Sequence, residues 1–159
     1  MNMNVYHENQ TVEIIEGPLF GSYRPATVLA REEGHPYRLF YKIQYLTRFN
    51  DDDSPLTEVV HVRVIRPIPP EFVGYRNFEL NDIVDAYNYD IGAWQAGTVI
   101  GNVENLDHHL VRLFDQTERL APYIRFHAEW FPLPCYVFWR PTDEYTHNPV
   151  TDPQPSATD

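Results

Sequence analysis

The sequence predicts an all-β fold made of two small antiparallel β-barrels in tandem and packed together. Three observations predict it. Apolar residues alternate or cluster in short runs rather than recurring every three or four positions. The chain carries 11 tyrosines, 9 phenylalanines and 14 prolines, a supply of strand formers and of turn breakers. One pattern also occurs twice: Gly21-Ser22-Tyr23-Arg24-Pro25-Ala26-Thr27-Val28 aligns without a gap on Gly92-Ala93-Trp94-Gln95-Ala96-Gly97-Thr98-Val99. Both copies read glycine, small, aromatic, two variable positions, small, threonine, valine. A spacing of about 71 residues between copies marks a duplicated structural unit.

Each copy has the same surroundings. A strand-like run opening with an acid precedes it, Glu13-Ile14-Ile15 in one case and Asp82-Ile83-Val84-Asp85 in the other. An apolar run leading to acids follows it, Tyr41 to Tyr45 before Asp51 to Asp53, and Leu110 to Phe114 before Asp115. The predicted strands are Thr11 to Ile15, Arg24 to Arg31, Leu39 to Arg48, Thr57 to Val62, Ile83 to Tyr89, Trp94 to Gly101, His108 to Phe114 and Glu118 to Pro122. A short C-terminal helical turn is placed near Tyr123 to His127.

The division that follows is an N-terminal segment 1–10, a first module 11–68, a linker 69–77, a second module 78–140 and a disordered tail 141–159. The linker reading rests on Arg66-Pro67-Ile68-Pro69-Pro70-Glu71, where prolines withhold ladder donors and favour extended backbone. The tail, rich in Pro, Thr, Asp and Ser, has too little apolar content to offset the entropy of ordering. A barrel of about 65 residues buries only about 60% of its unfolded-chain surface, so each unit gains by packing on the other.

A formal charge of -11, from 23 acidic and 12 basic side chains, repels phosphate backbones and disfavours nucleic acid as the ligand. The same field attracts a basic peptide. Cys135 is the single cysteine, which excludes an intrachain disulfide and a cysteine metal cluster. The N-terminal residues lack the charged flank and apolar run of a signal peptide, and no apolar stretch approaches the roughly 18 residues of a membrane span. A soluble, intracellular protein is expected.

The ordered succession of motifs resembles a known family. Gly21-Ser22-Tyr23 with Ala26-Thr27-Val28, then Gln44-Tyr45-Leu46-Thr47, Asp51 to Glu58 and Ile65-Arg66-Pro67, are similar to the first module of plant tandem Agenet domains. Asp82 to Tyr87, Gly92-Ala93-Trp94 and Ile124-Arg125-Phe126-His127-Ala128-Glu129-Trp130 are similar to the second. The resemblance covers residues 12 to 140. It implies paired Tudor-like barrels of the chromatin-reader group, nuclear localisation, and binding of a histone tail, with histone H3 methylated at lysine nine favoured.

A methylated ammonium keeps its charge but loses hydrogen-bond donors, so aromatic faces hold it, each supplying roughly 0.5 to 2 kcal/mol. The positions that line the ligand face in Tudor barrels carry Tyr87, Tyr89, Trp94, Phe114 and Asp115 in the second copy. In the first copy they carry Tyr23, Tyr45, Phe49, Asp51 and Asp52, with Phe20 alone in the first loop. The residue after the first aromatic, commonly a second aromatic in this family, is Arg24 in one copy and Gln95 in the other. That departure motivates the alternative of a degenerate tandem that joins other nuclear proteins without recognising methyl-lysine.

Catalysis finds no support in the motifs, and no cofactor or metal is implied. His108 and His109 are adjacent on a predicted strand and point to opposite faces. His127 is expected to pack and hydrogen-bond. Cys135 lacks a nucleophile motif.

Overall fold

Strand alternation places Val12 and Ile14, Ala26 and Val28, and Tyr41, Ile43 and Tyr45 on one side of three successive strands, and these side chains make the first core. The computed structural model describes residues 6–17, 21–32, 40–71, 77–103, 107–132 and 137–141. The first barrel comprises β1 (Thr11–Glu16), β2 (Ser22–Arg31), β3 (Phe40–Phe49), β4 (Pro55–His61) and, after a single 3-10 turn at Val62–Val64, β5 (Ile65–Pro67). All pairings are antiparallel, and β5 returns to β1 with Ile14 opposite Ile65 and Glu13 opposite Arg66. Val12, Val28 and Ile43 are wholly buried, each contributing about 1.5 to 3 kcal/mol.

The second barrel repeats the plan with β6 (Ile83–Asn88), β7 (Ala93–Val103), β8 (His108–Leu113), β9 (Glu118–Ala121) and β10 (Ile124–Phe126), where β10 returns to β6. Its core gathers Val84, Ala86, Val99, Val111, Leu113 and Ala121. A register shift between Val28 and Ala30 in β2 recurs between Val99 and Gly101 in β7, at equivalent positions of the two copies. The duplication therefore extends to the bulge that curves each barrel.

The two copies meet through their repeated motifs. β2 pairs antiparallel with β7, Ser22 opposite Gln95 and Tyr23 opposite Trp94, so one ten-stranded sheet runs through both barrels. Gly92 fits this junction closely. It has φ of +65°, and a Cβ there would stand 2.4 Å from Cβ of Thr47, whose Oγ1 donates to the Gly92 carbonyl at 2.6 Å.

Every predicted strand is present, with ends displaced by at most a few residues. Residues Tyr123 to His127 differ from the expected helical turn. Ile124–Phe126 is a strand, because Arg125 lies opposite Asp85 and is held by its carboxylate. The proline run read as a linker begins inside β5, since Arg66 and Pro67 pair with β1. The N-terminal segment contributes Tyr6 to the first core, where its hydroxyl donates to the Ile65 carbonyl at 3.0 Å. A separate hairpin of β11 (Ala128–Pro132) and β12 (Val137–Pro141) follows the second barrel. Residues 142–159, which hold nearly all of the predicted disordered tail, lie outside the described residues.

Gly92→Ala combines a left-handed backbone with a clash against Thr47. It is expected to lower stability by more than about 1 kcal/mol, read as a reduced urea midpoint.

Candidate functional site

The seam between barrels is held by charges. Glu13 on β1 accepts from Arg66 on β5 at 3.0 and 2.8 Å and from Arg125 on β10 at 2.8 and 2.9 Å. Arg125 also donates to Asp85 on β6 at 2.9 Å, and Arg66 donates to the Ala128 carbonyl at 3.0 Å. His127 bridges Asp85 at 2.6 Å and Glu129 at 2.8 Å through its two ring nitrogens. Each guanidinium also lies over a ring. Arg66 stands 3.4 Å from the centroid of Tyr23, and Arg125 stands 4.2 Å from that of Trp94.

Asp85 and His127 tune each other. Burial pushes the Asp85 carboxyl up, but the His127 hydrogen bond and the charges of His127, Arg125 and Arg66 outweigh it and hold the group below its ordinary value. Burial alone would lower His127, yet its bonds to Asp85 and Glu129 raise it to about 9. The imidazole is thus a cation donating from both nitrogens at neutral pH.

Of the first module's five ligand-face positions, Tyr23 and Tyr45 are enclosed and Phe49, Asp51 and Asp52 are exposed. Tyr23 is 6% exposed beneath Arg66. Tyr45, 2% exposed, donates to Glu58 at 2.6 Å, and both burial and that bond push its phenol up. Arg24 donates to Glu16 at 3.0 Å and to the Ile91 carbonyl. With Thr47 on Gly92, this brings the β6–β7 turn of the second module onto the end of the first barrel where an aromatic wall would stand. Phe49, Asp51 and Asp52 occupy the exposed end of β3 and the β3–β4 turn. Hydrogen bonds from Ser54 depress Asp52 and order that turn. Phe20 lies outside the described residues.

The second module gathers rings that remain open. Tyr87 and Trp94 face each other across β6 and β7 with centroids 5.1 Å apart and planes at 69°. Tyr89 meets Tyr87 at 4.8 Å and 80°, and Tyr123 meets Tyr89 at 6.1 Å and 68°. Tyr89 is 65% and Tyr123 59% exposed. Phe114 and Asp115 form the β8–β9 turn, both exposed, and hydrogen bonds from Thr117 depress Asp115. Asp115 lines a cavity of about 570 Å³ with Asn88, Gln95 and Leu113, separate from the ring cluster. Gln95 accepts from Asn88 there at 2.9 Å, so the position expected to carry a second aromatic is an amide pair.

Sequence reasoning missed Tyr123 and the charged seam. Nothing local marked Tyr123, but Arg66 and Arg125 each interrupt an apolar context where a lone cation requires a buried acid.

Residues 9–70 match the family described as Agenet domain. Two Arabidopsis thaliana relatives are DUF724 domain-containing protein 6, 42% identical over 67 residues and 40% of this chain, and DUF724 domain-containing protein 3, 32% identical over 110 residues and 65% of this chain. The chain spans only 9% and 15% of their respective lengths. Among solved structures, that of Arabidopsis thaliana AGDP1 AGD34 superimposes with a TM-score of 0.69 at 19% identity, covering 84% of this chain and 87% of that one. Tandem Agenet domain 3-4 of ADCP1 gives 0.67 at 20% identity, covering 84% and 85%.

Two outcomes follow from the seam. Arg66→Met would leave Glu13 and Asp85 short of a buried partner, and a loss of about 3 to 5 kcal/mol in urea unfolding is expected. His127 has a folded value near 9 against an unfolded value of 6.5, so its stabilisation is complete below about pH 6.5 and disappears as pH rises through 9. Unfolding midpoints of the native chain should fall across that window, whereas His127→Gln should flatten the dependence.

Proposed function

We propose that the chain, whose residues 9–70 match the Agenet domain family and whose fold over 84% of its length is that of tandem Agenet domains, is a nuclear reader of basic histone tails. The finer reading is that a methylated lysine of histone H3, lysine nine favoured, is received by Tyr87, Tyr89, Trp94 and Tyr123. The observation that carries it is the set of rings at steep mutual angles with two members exposed. Such rings offer faces and edges around a small volume, and a methylammonium gains from faces what it lost in donors. The -11 charge adds attraction for the flanking basic residues.

A second reading is a scaffold for other nuclear proteins without methyl-lysine recognition. Two observations favour it: the end of the first barrel is covered by Arg24 and the Ile91–Gly92 turn, and Arg125 already occupies one face of Trp94. Agenet domains act as protein-interaction modules, so the two readings share a surface and differ in ligand.

Calorimetric titration separates them. A histone H3 peptide dimethylated at lysine nine is expected to bind more tightly than the unmodified peptide. Tyr89→Ala, at an exposed position, should weaken the methylated complex by about 2- to 30-fold, the equivalent of one ring. Equal affinity for both peptides, unchanged by Tyr89→Ala, would select the scaffold.

A further inference from the structure

A second cavity, of about 590 Å³, opens where the chain passes from the first module to the second. Its volume falls within the roughly 300 to 1,000 Å³ usual for ligand pockets. Ile68, Pro69, Phe78, Trp94, Ile124 and Phe126 give it an apolar wall, with Phe78 stacked on Phe126 at 4.5 Å. Its two deep polar groups, Glu13 and Arg125, are bonded to each other at 2.8 and 2.9 Å and to Arg66 and Asp85, so neither is offered to a ligand. A cation entering would meet the Arg125 guanidinium lying on Trp94, which disfavours it. An apolar group would meet hydrocarbon and rings. Glu71 at the rim is exposed and forms no ion pair among the described residues.

We infer that this seam cavity binds an apolar side chain of a peptide ligand whose neighbouring basic residue is held by Glu71. Trp94 supplies the continuity, since its ring is a wall of the cavity and also packs on Tyr87 of the open ring cluster. An apolar residue in the cavity and a cation at the rings are therefore close neighbours along one extended peptide. The inference rests on the chain being a binder of basic peptides and is independent of methyl-lysine recognition.

The test uses two unmethylated synthetic peptides, Arg-Leu-Arg-Lys and Arg-Ser-Arg-Lys, titrated into the full chain by amide NMR. The leucine peptide is expected to bind at least fivefold more tightly and to shift the Trp94 indole and the amides of Phe78, Ile124 and Phe126. Ile68→Asn, at a wall residue that is 43% exposed, should abolish the preference for leucine without unfolding the protein, while Glu71→Lys should weaken both peptides together. Equal binding of the two peptides, with shifts confined to other acidic surfaces, overturns the cavity assignment and leaves the basic-peptide reading standing. Absence of any binding overturns both. A solution structure with the chain's own Phe72 or Tyr75 seated in the cavity also overturns the assignment.

Discussion

Glu13, Arg66, Asp85 and Arg125 come from four strands of two barrels and neutralise one another where those barrels meet. Charges removed from water are costly unless paired with good geometry, and here each carboxylate accepts from more than one cation. His127 and Glu129 extend the network to the final hairpin. Each barrel holds one pair of its own, Glu13 with Arg66 and Asp85 with Arg125, and the bonds from Arg125 to Glu13 and from Arg66 to the Ala128 carbonyl tie the two pairs together across the seam. The backbone bonds between β2 and β7 then set the register that the charges complete.

The same network explains why two copies of one motif have different fates. Tyr23 and Trp94 occupy equivalent positions and lie opposite each other in the sheet. Arg66 covers Tyr23 at close stacking distance, and little of that ring reaches solvent. Arg125 covers Trp94 from one side only, leaving it to pack with Tyr87 and to border the seam cavity. Arg24 turns toward the β6–β7 turn, while its counterpart Gln95 pairs with Asn88 beside a cavity. The equivalent ring is thus covered in one copy and part of an open cluster in the other.

Eight strands, β1 to β4 and β6 to β9, were legible because alternation over several residues, bounded by Gly, Pro and Asp, reports a pleat with one buried face, whereas the β11–β12 hairpin was not read. β5 and β10 were not, because three residues are too few to show a period and each depends on an arginine whose partners are distant. Arg66 and Arg125 reach Glu13 across 53 and 112 residues of sequence, separations that no local pattern records. The ring positions could be enumerated from the motif, but their exposure could not. Tyr23 and Tyr45 carry the same residue type as Tyr89, and only the tertiary neighbours, Arg66 and Glu58 against open solvent, divide them.

The continuous sheet through β2 and β7 has a consequence for reach. Modules joined by a flexible tether adjust their spacing to a ligand, and the effective concentration of the second contact depends on that freedom. Here the join is a short β2–β7 pairing reinforced by buried ion pairs across the seam, so the distance from the acidic β3–β4 turn to the rings of the second barrel is set by the fold rather than by a tether. Inserting one residue between the two contact points of an extended peptide lengthens it by about 3.3 Å. A ligand that touched both the acidic turn and the rings would have to take up that difference in its own backbone, because the spacing between them is set by paired strands and buried charge.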